Sequence, residues 1–137
     1  LVDGYNVIFA WDELRKMAET NLDAARRRLM DILCNYAGYR KCVSILVFDA
    51  YRVKGAGREQ ETWHNLHVIY TREAETADMF IERATHELAK NHRVRVVSSD
   101  GAEQIIILGN GALRVSARAF EREVRAVEAE IREFLDQ

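Results

Sequence analysis

Leu1-Val2-Asp3-Gly4-Tyr5-Asn6-Val7-Ile8 opens the chain and decides how the rest is read. An apolar strand ends at Asp3, and Gly4 opens a turn where a side chain would crowd the backbone. In an open parallel sheet, ligands bind beyond the carboxyl ends of the strands, where strand order reverses. As the central strand, this segment would stand Asp3 in that crevice. Three more carboxylates have comparable settings: Asp49 after Ser44-Ile45-Leu46-Val47-Phe48, Asp78 early in a helix, and Asp100 after Val96-Val97-Ser98-Ser99. One such acid would mean little. Four across successive α/β units predict a shared acidic pocket.

Outward from this strand, 11–18 reads as a short helix with Asp12 as a candidate cap. A second helix starts near Asn21, its apolar stripe being Leu22, Ala25, Leu29, Ile32, Leu33 and Tyr36, and Gly38 is its expected stop. Residues 42–48 are apolar apart from Ser44, as in a strand covered on both faces. A third strand covers 66–70. Thr76 then caps a helix whose buried face is Ala77, Phe80, Ile81, Ala84 and Leu88. A fourth strand covers 94–98. Ile105-Ile106-Ile107 favours a strand by propensity, yet Ala102, Ile105 and Leu108 have helical spacing; we read a short helix ending at Gly109-Asn110-Gly111. A brief edge strand at 113–115 and a long last helix capped by Ser116 follow. The expected sheet has four parallel strands and a short fifth at its edge, in spatial order 3-2-1-4-5.

The bulk properties suit one ordered α/β domain over 1–137. Hydrophobic residues make up 48% and charged residues 31% of the 137, too apolar for a disordered tail. A net charge of −2 carries no global nucleic-acid signature, so any polyanion must meet a local basic patch. No apolar run approaches the ~20 residues of a membrane span, and no signal peptide is visible. Cys34 and Cys42 lack zinc-like partners and read as reduced thiols, which points to the cytoplasm. The chain lacks an initiator Met and has only two residues before Asp3; a few upstream residues are expected.

Between Asp49 and His64 the periodicity lapses. Arg52, Lys54 and Arg58 flank Gly55 and Gly57, and Trp63 closes the segment: three cations, a permissive backbone and an aromatic able to stack on a base. The competing reading is a solvated loop with Trp63 tucked into the core. His64 and His67 lack the further convergent ligands that a transition metal requires. Arg114, Arg118, Arg122 and Arg125 are further cations of the kind that usually form a helix's wet face.

Converging carboxylates repel one another, and burying them unpaired is costly. A hard divalent cation resolves both problems, and Mg²⁺ or Mn²⁺ matches oxygen ligands. Asp3, Asp78 and Asp100 are the candidate ligands, with Asp49 completing the set or orienting metal-bound water. Such a site can activate water against a phosphodiester. Asn6 offers a neutral donor and acceptor, and Ser98 and Ser99 could fix Asp100 by hydrogen bonds.

At these residues the chain resembles a known family. Asp3-Gly4-Tyr5-Asn6, Phe48-Asp49-Ala50, Val53-Lys54-Gly55, Glu75-Thr76-Ala77-Asp78 and Ser98-Ser99-Asp100 look like the YacP-like branch of the NYN domains, within the PIN-like nuclease superfamily. Gly109-Asn110-Gly111-Ala112-Leu113-Arg114 and Ser116-Ala117-Arg118 extend the likeness to nearly the whole chain in motif order. The tripeptides are individually weak; their joint occurrence is specific. The resemblance implies a three-layer α/β/α sandwich with a mostly parallel sheet and a metal-dependent endoribonuclease acting on mRNA at translating ribosomes. It also implies that Asp3, Asp49, Asp78 and Asp100 form the acidic site, with Asn6 and Glu75 beside it. A haloacid-dehalogenase-type phosphatase would need an acid where Tyr5 stands. A response-regulator receiver would want a lysine where the 113–116 region offers Arg114, and a dinucleotide-binding fold would need a glycine-rich fingerprint that Asp3-Gly4-Tyr5-Asn6 cannot form. The serious rival is a non-catalytic RNA- or ribosome-binding module with the same shell.

Overall fold

The short strand ending at Asp3 is the centre of the sheet. The computed structural model describes residues 1–49, 60–63, 65–72, 74–98, 106–107 and 111–137. In chain order the elements are β1 (Val2–Asp3), α1 (Gly4–Ala10), α2 (Asp12–Thr20), α3 (Leu22–Arg40), β2 (Ser44–Phe48) and β3 (Gln60–Trp63). They continue with β4 (Leu66–Tyr70), α4 (Ala77–Leu88), β5 (Arg95–Val97), β6 (Ile106–Ile107), β7 (Leu113–Val115) and α5 (Ala117–Leu135). The sheet order is β3-β4-β2-β1-β5-β7-β6. Its inner five strands are mutually parallel and keep the expected order, while β3 and β6 pair antiparallel at the two edges.

The two edge strands correct the sequence reading. Residues 60–63, expected within a loop, form β3 against β4. Ile106 and Ile107, assigned to a helix, pair with Arg114 and Leu113 instead. There β-branched propensity prevails over a three-residue helical spacing, and 113–115 is consequently flanked on both sides.

Alternation divides the buried residues between two faces. Val2, Leu46, Phe48, Leu66, Val68 and Val97 join the core formed with α1, α2, α3 and α5. Val47 and Val96 join Ala77, Phe80 and Ile81 of α4 on the other side. These are the three layers. No described helix is long and apolar enough to cross a membrane.

Local signals explain most boundaries. Two of the expected caps form, Thr76 accepting from Met79 N (3.1 Å) and Ser116 from Ala119 N (3.1 Å), and Asn21, where a helix was expected to begin, caps it by accepting from Ala24 N (3.1 Å). Gly38 does not stop α3, which runs to Arg40 and closes on Lys41 at φ 54°, a left-handed cap. Asp12 lies in the first turn of α2, with Trp11 at the cap position. Helix α1 follows β1 directly, where only a turn was expected. Gly4 is required there by space: a Cβ would lie 2.5 Å from Phe48 Cδ1 and closer still to Cε1. That contact presses the end of β2 against the start of α1, placing Asp49 beside Asp3.

Candidate active site

Asp3 is buried, with only 6% of its surface exposed. It pairs with Val47, a residue of the α4 face, whereas Val2 points to the opposite core; Asp3 therefore faces the α4 side of the sheet. Asn6 Nδ2 donates to Asp3 Oδ2 at 2.5 Å, so the residue three positions on orients the carboxylate from the first turn of α1. Burial pushes the Asp3 carboxyl above the usual carboxylate range. The bonds from Asn6 oppose this, while the neighbouring charges of Asp49 and Asp78 raise it further. Three acids from β1, the end of β2 and the start of α4 thus share one electrostatic environment.

Asp49 and Asp78 are held differently. Asp49 Oδ1 accepts from Ala77 N at 2.6 Å, satisfying one of the amides that the start of α4 cannot pair internally. This bond crosses from the end of β2 to α4 and fixes the distance between the two acids' backbones. Asp78 lies in the first turn of α4 and is exposed. Neither acid, nor Asp3, takes part in a salt bridge among the described residues.

Glu75 sits just ahead of the α4 cap. Its Oε2 accepts from Arg83 Nη1 at 2.6 Å, and its Oε1 is buried without a hydrogen-bond partner. A buried carboxylate oxygen left unpaired is costly and calls for a donor. On the opposite rim, Ser98 Oγ accepts from Arg114 Nε at 3.1 Å. Ser98 was expected to steady Asp100; its described partner is this arginine.

The structure does not bring Trp63 to these acids. Trp63 pairs with Leu66 at the amino end of β4, whereas Phe48, next to Asp49, pairs with Tyr70 at its carboxyl end. Four strand steps, about 13 Å, separate the two levels. Trp63 is 39% exposed, so the core reading of this side chain does not hold either. Asp100, Ser99, Arg52, Lys54 and Arg58 lie outside the described residues. Sequence reasoning counted Arg114 only as a further cation, yet it lies on the face of the sheet that carries Asp3. Its signal was strand alternation: at the centre of β7 it shares the face of Val96, and hence of Asp3.

A cavity of about 730 Å³ opens at the other end of the sheet, among Leu1, Arg40, Ser44, His92 and Arg95. Its one acid, Glu123, is bound by both terminal nitrogens of Arg95. The acids Asp3 and Asp49 lie at the carboxyl ends of β1 and β2 instead.

The donor set at those ends is all oxygen, mutually repulsive and partly buried, which suits Mg²⁺ or Mn²⁺. Among the described residues no three His, Cys, Asp or Glu side chains are gathered closely enough to enclose an ion. Such a cage is not needed for Mg²⁺, which keeps several waters and uses one or two carboxylates. The residues fit a hydrated divalent ion.

The family model of the YacP-like NYN domain matches residues 1–137. The YacP protein of Bacillus subtilis (strain 168) is 42% identical over 132 residues, covering 96% of this chain and 77% of that protein. The crystal structure of Rae1 (YacP) from Bacillus subtilis superposes with a TM-score of 0.82 at 40% identity, covering 98% of this chain and 78% of the other. A mutant form of the same protein gives 0.79 at 38% identity, covering 96% and 77%.

Proposed function

We propose, because this chain belongs to the YacP-like NYN domain family, that it is a metal-dependent endoribonuclease cutting mRNA on translating ribosomes. The observation that carries the catalytic part is the burial of Asp3 among like charges. Burial and the charges of Asp49 and Asp78 all oppose ionisation of Asp3, an arrangement that weakens a fold and suits a cation. The ribosomal part rests on the family resemblance.

In this reading Asp3, Asp78 and Asp100 hold Mg²⁺ or Mn²⁺. When bound, the ion would activate water and stabilise the charge that develops on a phosphodiester. The protein's own groups do the rest. Asn6 fixes the orientation of Asp3 through the bond to Oδ2. Asp49 has Oδ1 committed to Ala77, and its Oδ2 accepts a proton from the attacking water. Glu75, anchored by Arg83, presents Oε1 to a donor in the same region. Ser98 and Ser99, the two residues before Asp100 in sequence, would fix its carboxylate by hydrogen bonds. Arg52, Lys54 and Arg58, which follow Asp49 in sequence, capture RNA phosphates.

The test compares free mRNA with translating ribosomes, using purified protein and Mg²⁺ or Mn²⁺. Metal-dependent internal cuts, more frequent on ribosomes, are expected. Binding without cleavage on either substrate would replace the enzyme with an RNA-binding module. Equal cleavage of both would remove the ribosomal part and leave the ribonuclease.

A further inference from the structure

We propose that the amino end of the sheet, opposite the acidic cleft, is a second RNA-binding surface, where Trp63 stacks on a base of a single strand and Arg40, Lys41 and Arg93 hold its phosphates. This rests on the reading that the chain acts on RNA, and not on cleavage. Residues 39–45 and 89–95, around the starts of β2 and β5, carry five of the chain's 20 Lys and Arg residues and no Asp or Glu. In a chain of net charge −2 that is a local excess of the kind a polyanion must meet. The fold joins the two stretches. Arg40 ends α3 on one face of the sheet, Arg93 follows α4 on the other, and both line the cavity of about 730 Å³. Lys41 stands beside Arg40 in the left-handed cap position. Two of the five cations are neutralised, Arg95 by Glu123 and Lys90 by Glu87. Arg40, Lys41 and Arg93 are exposed and form no ion pair with a described residue.

Trp63 lies at the same end. It is level with Leu66 and Ser44 across β3, β4 and β2. Ser44 is in turn level with Arg95, because Val2 pairs with both Leu46 and Val97. Four strand spacings, about 19 Å, span this rim from β3 to β5. Trp63 pairs with Leu66 of the α3-side core and so projects on the α3 face, where Cys34 Sγ lies 4.0 Å from its carbonyl oxygen. From Cys34 to Arg40 is six residues of helix, about 9 Å. An exposed indole and a row of cations thus share one rim. Stacking on an aromatic and phosphate contacts to Lys and Arg are the two interactions that hold single strands without reading their sequence. An acidic peptide would use the cations and leave the indole without a role. The acids lie at the other end of the strands, so this surface adds affinity without touching the reacting phosphate.

Fluorescence anisotropy of the intact chain with a labelled, unstructured single-stranded RNA tests the proposal, in excess chelator to remove any metal bridge at the cleft. R40Q/K41Q/R93Q should lower the log–log salt slope by about 2, three contacts at about 0.7 each on a single strand, and weaken low-salt binding by about ten-fold or more. W63A should weaken binding about ten-fold with the slope unchanged, the share of one stacked base, and W63F should restore most of it. An unchanged slope in the triple variant, or wild-type affinity in W63A, would overturn the proposal. So would a poly-glutamate peptide that displaced the labelled strand as well as unlabelled RNA does, which would make the surface a site for acidic protein. If the wild type cut RNA with Mg²⁺ while every variant kept its binding, this inference alone would fall. If the wild type cut nothing but the losses were as stated, the ribonuclease reading would fall and this surface would stand.

Discussion

Replacing Gly4 with Ala should destabilise the fold through a single contact. The added Cβ would lie 2.5 Å from Phe48 Cδ1 and 3.0 Å from Cζ, with Cε1 nearer still. Ordinary carbon contacts are about 3.5–4.0 Å, so the ring must retreat by about 1 Å or more. Phe48 has no exposed surface, and its ring sits between Tyr5 and Tyr70 at centroid distances of 5.0 and 5.7 Å. It cannot swing into solvent. Overpacking of this kind costs about 1–3 kcal/mol, and the closed environment argues for the upper end. Alanine recovers about 1 kcal/mol of helix propensity in α1. The net loss is about 2 kcal/mol, or roughly 6–10 °C in Tm for a chain of this size. Urea and thermal unfolding of G4A, F48L and G4A/F48L provide the assay. The double variant should recover about 1–2 kcal/mol relative to the sum of the singles, since leucine vacates the contested space. A G4A protein as stable as wild type, or strictly additive effects, would refute the packing account. The same displacement should lower the proposed nuclease activity, because Phe48 precedes Asp49.

The remaining predictions concern charge. Burial raises the Asp3 carboxyl, so in metal-free protein its contribution to stability is fully present below the unfolded-state pKa and is lost as pH rises through the folded one. D3N should therefore raise the metal-free Tm at neutral pH and flatten its dependence above pH 4; a lower Tm with an unchanged pH profile would contradict this. Replacing Arg52, Lys54 and Arg58 together with Ala should weaken RNA or ribosome association and reduce the salt slope by roughly one unit per lost phosphate contact. Metal affinity, measured separately, should not change. Binding and cleavage like wild type at two salt concentrations would return the segment to a solvated role.

Much of this was legible because parallel sheets leave strong traces. Apolar-rich stretches at 44–48 and 66–70 yielded strands in their expected order, and Asn21, Thr76 and Ser116 cap their helices as their side chains dictate. Edge strands were not legible. Gln60-Glu61-Thr62-Trp63 has little apolar alternation, and its pairing is supplied by the exposed edge of β4. Ile106-Ile107 is too short for periodicity to separate helix from strand. Trp63 was drawn to the cleft by sequence proximity to the cations, yet antiparallel pairing carries it back to the far end of the sheet. Arg114 was passed over for the opposite reason. Distant from Asp3 in sequence, it shares a face with it only through the pairing of β1 with β5 and β5 with β7, and only its side chain reaches Ser98 at the level of Asp3.

The most direct measurement of the central claim is cleavage of a defined single-stranded RNA, free and on ribosomes, by wild type, D3N and D78N across a Mg²⁺ or Mn²⁺ titration. Metal-free melting curves are taken in parallel. Wild type should cut only with metal. Both variants should remain folded, bind metal more weakly and lose most cleavage, since each has one anionic ligand fewer. Folded D3N or D78N protein cutting as fast as wild type at every metal concentration would contradict the role of that acid, and cleavage by wild type in excess chelator would contradict the metal-dependent site as a whole.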